Sequence, residues 1–213
     1  NALTKAEAVL NDGKTYTDVT KSAFNTALKN AKAVEPDLLS DKQDYIDSVA
    51  DKLEKAINGL KVKADYTAYN TALQNAKTEV VKTDLYTVDT ISDLEKVIED
   101  AEKLNQDLSV DKQNQITEQV TKLNNAVGAL KKQAADYSKL NRAIKTAESK
   151  EKSNYTDASW SIMKSAYDTA KALPKDLTID RQSEVDVVEK TLTDAINGLK
   201  FKSAVYTALD KAI

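Results

Sequence analysis

The chain reads as an all-α protein of tandem three-helix bundles, each about 70 residues long and stacked end to end. Two observations carry that expectation. The first is self-similarity: Leu38, Asp41-Lys42-Gln43, Ile46, Leu53, Ile57 and Leu60 return as Leu108, Asp111-Lys112-Gln113, Ile116, Leu123, Val127 and Leu130, and again as Leu177, Asp180-Arg181-Gln182, Val185, Leu192, Ile196 and Leu199. All fall in register once Tyr16-Thr17, Tyr86-Thr87 and Tyr155-Thr156 are aligned. The second is composition. Four glycines and two prolines in 213 residues leave little turn material, while alanine, lysine and leucine are abundant helix formers.

The first helix of the unit is clearest where Tyr66, Tyr69, Leu73, Ala76 and Val80 recur three and four apart, so that they line one face. Tyr137, Leu140, Ile144 and Ala147 repeat the stripe, and Leu3, Ala6 and Leu10 match its second half. Residues 1 to 10 are therefore expected to form a shortened helix that leaves its neighbours partly uncovered. Tyr206, Leu209 and Ile213 begin the pattern once more, so both ends look cut from a longer array.

Helix two is expected to start at each Tyr-Thr pair, because a threonine hydroxyl can accept from an otherwise unpaired amide in the first turn. The tyrosine before it can then staple onto Lys21, Ile91 or Trp160 at the fourth helical position, which gives the only tryptophan a packing role. The stripe continues as Phe24, Leu28, Ala31 and Val34; as Leu94, Ile98, Ala101 and Leu104; and as Met163, Tyr167, Ala170 and Leu173. Pro36 and Pro174 end the helix in the first and third repeats. The Asp-Lys/Arg-Gln triplet opens helix three, where an aspartate complements the positive end of the helix dipole.

Across the repeat boundary the apolar step stays at seven residues, through Ile116, Leu123, Leu130 and Tyr137 and through Val185, Leu192, Leu199 and Tyr206. The expectation is that the third helix of one unit continues into the first helix of the next. With helices of about 25 residues, each spanning some 40 Å, three units would make a rod on the order of 120 Å. Gly59, Gly128 and Gly198 weigh against this, since glycine costs about 1 kcal/mol in a helix interior relative to alanine. The alternative is a glycine C-cap with a short hinge. The step from Leu60 to Tyr66 is one residue shorter than the other two, which predicts a different geometry at the first junction. The resulting divisions are a first repeat over 1–63 with its first helix truncated, a second over 64–134, a third over 135–203, and the start of a further repeat helix over 204–213.

The chemistry of a catalyst is sparse. The chain has no histidine and no cysteine, which removes the commonest general base, the commonest nitrogen ligand and the thiol nucleophile. Acidic pairs such as Glu99-Asp100 and Glu148 with Glu151 fit solvated helix faces better than a glycosidase-like pair. There is no phosphate loop, calcium loop or nucleophile elbow. No catalytic, cofactor-binding or metal-binding residue is expected, and no ligand-binding residue can be named. With 31 basic and 34 acidic residues interleaved, the net charge of −3 offers no footprint for nucleic acid or anionic lipid. No apolar run is long enough for direct membrane insertion. The Asp-Lys/Arg-Gln triplet reads as helix-start chemistry with loop docking. Tyr69 and Tyr167 take core positions, and Tyr45 is the tyrosine expected to be exposed.

The ordered set of Ala64-Asp65-Tyr66 and Ala135-Asp136-Tyr137, the Tyr-Thr pairs, the Asp-Lys/Arg-Gln triplets, and Ala-Ile-Asn-Gly-Leu-Lys at 56–61 and 195–200 resembles FIVAR modules. The second repeat departs from the closing motif at Asn125-Ala126-Val127-Gly128-Ala129-Leu130. The resemblance implies tandem modules in secreted or wall-anchored proteins of Gram-positive bacteria, including giant extracellular-matrix-binding adhesins. It implies a non-enzymatic stalk or spacer at the bacterial cell surface, anchored through regions outside this segment and forming a monomeric rod. The alternative is that the modules themselves bind a host extracellular-matrix protein or glycan.

Overall fold

A computed structural model describes residues 1–203 of the chain. Among these, nine α-helices run as α1 (Ala2–Leu10), α2 (Asp18–Lys32), α3 (Gln43–Asn58), α4 (Thr67–Val80), α5 (Val88–Glu102), α6 (Gln113–Gly128), α7 (Ser138–Glu148), α8 (Asp157–Ala172) and α9 (Gln182–Asn197). The described residues form no β-strand beyond isolated antiparallel pairs. The expected start of a further helix at Tyr206 lies outside the described residues.

Each consecutive trio of helices closes on its own hydrophobic cluster. Ala6, Phe24, Leu28 and Leu53 form the first, and the second gathers Tyr69, Ala76, Leu94, Ile98, Ala101, Ile116 and Leu123. Leu140, Ile144, Met163, Ala170, Val185 and Leu192 are central to the third. These are the residues that the three-and-four spacing selects, and each cluster draws on all three of its helices. The first cluster is the smallest because α1 has nine residues, against 14 in α4. Leu10 is accordingly left 54% exposed. Tyr69 is buried and donates its hydroxyl to the carbonyl of Ala101 at 2.7 Å, Tyr167 packs on the third cluster, and Tyr45 is exposed.

The chain forms two compact units. Asn1–Val81 with Asp89–Leu130 make the first, which holds the first two clusters; Lys82–Val88 with the described residues from Lys131 make the second, which holds the third.

The helices are not shared between repeats. α3, α6 and α9 stop at Asn58, Gly128 and Asn197, and α4 and α7 start afresh at Thr67 and Ser138. The longest has 16 residues, about 24 Å at 1.5 Å per residue, not the 25 residues of a continuous helix. The seven-residue step from Leu130 to Tyr137 is therefore no helical seam, since Leu130 packs on the second cluster and Tyr137 on the third. Gly59 and Gly198 do stand at C-caps, but with right-handed backbone (φ −84° and −80°) and not in the left-handed conformation of a glycine cap. Beyond Gly59 the chain turns extended, and its backbone groups find partners on two neighbouring loops.

Candidate functional site: the strand that joins the repeats

The segment after each third helix is a short strand. In the first unit, Lys61–Ala64 pairs along one edge with the connection before α2, where the amide of Thr17 donates to the carbonyl of Lys61 (2.9 Å) and that of Lys63 to Thr15 (2.8 Å). Along its other edge it pairs with the loop before α6. There the amide of Ala64 donates to Leu108 (2.9 Å) and that of Val110 to Val62 (2.8 Å). Successive residues of an extended chain point their amides to opposite sides, so one strand can serve both loops.

In the second unit the same pattern joins Lys131–Ala135 to Leu85–Thr87 and to Leu177–Ile179, again through four bonds of 2.8–2.9 Å. The register differs by the residue that distinguishes the two spacings. The paired residues are Val62 and Lys63 in the first strand but Lys132 and Ala134 in the second. The extra length is taken up at Gln133, whose amide faces Leu85 while its carbonyl faces Ile179. Its side-chain amide adds to the pairing by donating to the carbonyls of Thr83 (2.8 Å) and Tyr86 (2.9 Å). Phe201 repeats the first half of the pattern against Tyr155, with Thr156 donating to Lys200 and Lys202 to Asn154.

The residues that define the repeat are those that hold these strands. Tyr66 closes the second cluster with its ring, while its hydroxyl donates to the carbonyl of Asn105 (2.6 Å) and accepts from the amide of Leu108 (2.9 Å). Tyr137 bridges Pro174 and Leu177 in the same way, at 2.6 and 3.2 Å. Asp65 and Asp136 accept from the amides of Thr67 and Ser138, the first residues of α4 and α7, and the hydroxyls of these two residues, ahead of their amides, hold both carboxyls below their ordinary range. Gln113 of the triplet grips the backbone of Asp65 twice, accepting from its amide and donating to its carbonyl, both at 2.8 Å. Gln182 does the same to Asp136, at 2.6 and 3.0 Å. The first two residues of the triplet lie in a turn of 3₁₀-helix, and the α-helix starts at the glutamine. Its aspartates accept from Ser109 and Thr178, and Asp180 also pairs with Lys132 at 2.7 Å, which raises the lysine's affinity for its proton.

Thr17 and Thr156 stand at N-caps, as the sequence implies, but only Thr156 caps its own helix, accepting from the amide of Ser159 at 3.4 Å. The Thr17 hydroxyl pairs instead with Thr20 at 2.7 Å. The first-turn amides of α2 are taken by Asp107 from the next repeat, with Asp18 at 2.7 Å and Val19 at 3.3 Å. Sequence reasoning missed Asp107 as well as Thr20 and Ser159, whose hydroxyls accept from the linker amides of Lys61 and Lys200 at 3.3 and 3.1 Å. The usable signal was a hydroxyl residue three places after each Tyr-Thr threonine, at Thr20, Thr90 and Ser159.

No acid/base pair stands out where the sequence carries acidic clusters. Glu99 and Asp100 both pair with Lys103, and Glu148 accepts from Tyr167 and Lys171. A groove of about 720 Å³ on the third bundle, between α8 and α9, is lined mostly by serine, threonine and alanine. Its one carboxylate, Asp194, is paired with Lys190 at 2.7 Å. Among the described residues no three potential metal ligands come together, and no helix is long and apolar enough to cross a membrane.

The FIVAR domain profile matches the chain over residues 1–61 and 136–200. The middle repeat lies between the two matches, and it is the repeat whose closing motif departs from the others. FIVAR domains are non-catalytic repeat modules of extracellular bacterial proteins. No curated protein and no solved structure matches the chain.

Proposed function

Since the chain belongs to the FIVAR family, we propose that it is a non-enzymatic spacer in a bacterial cell-surface adhesin, a monomeric row of repeat modules that holds a distal binding region away from the cell. The observation that supports this reading is the use made of the repeat signature. Tyr66, Tyr137, Asp65, Asp136, Gln113 and Gln182 spend their polar atoms on linking and capping the helices rather than facing a common pocket. A strand bonded along both edges resists bending more than a free linker of equal length, and resistance to bending is what a spacer requires. Small-angle scattering tests the proposal: an elongated particle is expected, whereas a radius of gyration near 17 Å, the globular value for this chain length, would refute it.

A second reading, recognition of a host glycan or matrix protein by the modules, is favoured by one feature of the third repeat. Tyr155 stacks on Trp160 and on Phe201, with ring centroids 6.3 and 4.9 Å away, and Phe201 is 73% exposed. The matching positions elsewhere hold Lys21 or Ile91 and Val62 or Lys132. Saturable binding to a glycan or matrix-protein panel that is abolished by Trp160→Ala would establish this function. The spacer reading predicts no saturable signal.

A further inference from the structure

We propose that the first module of this array is completed by the second, through a helix cap supplied in trans, so that stabilisation runs backwards along the chain from the second module to the first. The idea holds whether the chain is a spacer or a receptor.

The geometry is that of Asp107. It lies in the loop before α6, yet its Oδ1 and Oδ2 accept from the amides of Asp18 and Val19, the first two residues of α2 and 89 and 88 positions away in sequence. First-turn amides have no partner within their own helix, and a carboxylate over them also meets the positive end of the helix dipole. α2 has no other side-chain cap, because the hydroxyl of the residue placed to provide one, Thr17, is engaged with Thr20. Asp107 is held in place on the linker side as well. Lys63 stands 3.4 Å from both Asp107 and Asp18, and the Asp107 side chain is 20% exposed where that of Asp18 is 79% exposed.

The structure forms this cap at the first junction, with a residue type that recurs along the sequence. An aspartate precedes the loop leucine in every module, at Asp37-Leu38, Asp107-Leu108 and Asp176-Leu177. The strand pairing that brings Leu108 to Ala64 therefore brings the adjacent aspartate to the start of the preceding module's second helix. The relation has a direction, since the capped helix belongs to the earlier module and the capping residue to the later one. Loss of the second module's Asp107 should loosen the first module, whose α2 it caps.

Amide hydrogen exchange on the whole chain tests this. In the parent chain Asp18 and Val19 should be protected, which is unusual for the first two amides of a helix. Asp107→Ala should speed exchange at both by about 2- to 30-fold, the equivalent of losing one N-cap. Asp107→Asn keeps one acceptor oxygen and preserves the loop. It should speed exchange at one of the two amides while the amides of α6 stay protected, which separates a lost cap from a disordered second module. Unchanged exchange at Asp18 and Val19 in both variants, or acceleration confined to the loop at 105–112, would overturn the proposal.

Discussion

Tyr137→Phe removes one oxygen atom from the junction and leaves the ring in place against the third cluster. The hydroxyl makes two bonds, donating to the carbonyl of Pro174 at 2.6 Å and accepting from the amide of Leu177 at 3.2 Å. A neutral bond contributes about 0.5–1.5 kcal/mol net, so the pair sets a range of about 1–3 kcal/mol. The lower part of that range, about 1–2 kcal/mol, is expected, because the second bond is long and the freed Pro174 carbonyl can turn to water. The only tryptophan, Trp160, packs on the same cluster, so its fluorescence reports on this bundle. With a urea slope of about 2 kcal/mol/M, the fluorescence midpoint should fall by about 0.5–1 M. An unchanged midpoint would mean that the repeat-matched tyrosines act through their rings alone, and the account of the junction would lose its main bond.

Other changes probe separate parts of the molecule. Leu123 is fully buried in the second cluster, so Leu123→Ala should cost about 2–5 kcal/mol; a melting temperature like that of the parent would remove Leu123 from the core. Gln133→Ala takes away the side-chain bonds to Thr83 and Tyr86, and should speed amide exchange at Thr87 and Gln133 without changing helix content by circular dichroism. Asp107, held low chiefly by the amide of Asp18, and Asp180, held low chiefly by Lys132, each have a folded pKa below the ordinary carboxylate value. Their contribution is present above the unfolded value near 3.9 and is lost as pH falls through the folded value. Stability measured between pH 5 and 2 should therefore fall with acid, and less steeply in Asp107→Asn than in the parent.

The helices were legible because their causes are local. Tyr-Thr pairs mark the starts of α2, α5 and α8, and the apolar stripes name most of the buried residues, down to Tyr69 in the core and Tyr45 outside it. The linkers were not, because their causes are distant. Lys61–Ala64 takes its strand partners from Thr15–Thr17 and from Leu108–Val110, more than 40 residues to either side, and no property of the four-residue segment itself announces them. The seven-residue apolar step from Leu130 to Tyr137 likewise fits a helix as well as a strand whose ends enter different clusters. Gly59 and Gly198 gave the correct warning at only about 1 kcal/mol, too weak to outweigh the helix propensity of the lysines and alanines beyond. The tyrosines and glutamines were placed correctly at helix starts, but a single sequence cannot show that Tyr66 reaches Leu108 or that Gln113 reaches Asp65. The single-residue difference between the junctions was visible, and its consequence is a change of strand register at Gln133 rather than a rotation of a continuing helix.

The central claim is that the repeats are joined by a strand bonded along both edges. Residue-resolved amide exchange at Lys63, Ala64, Gln133 and Ala135 tests it most directly, since these four amides donate to Thr15, Leu108, Leu85 and Leu177. Protection comparable to that of the neighbouring helices is predicted at all four. Exchange at the rate of an unstructured peptide would mean that the linkers are free, and would contradict the account.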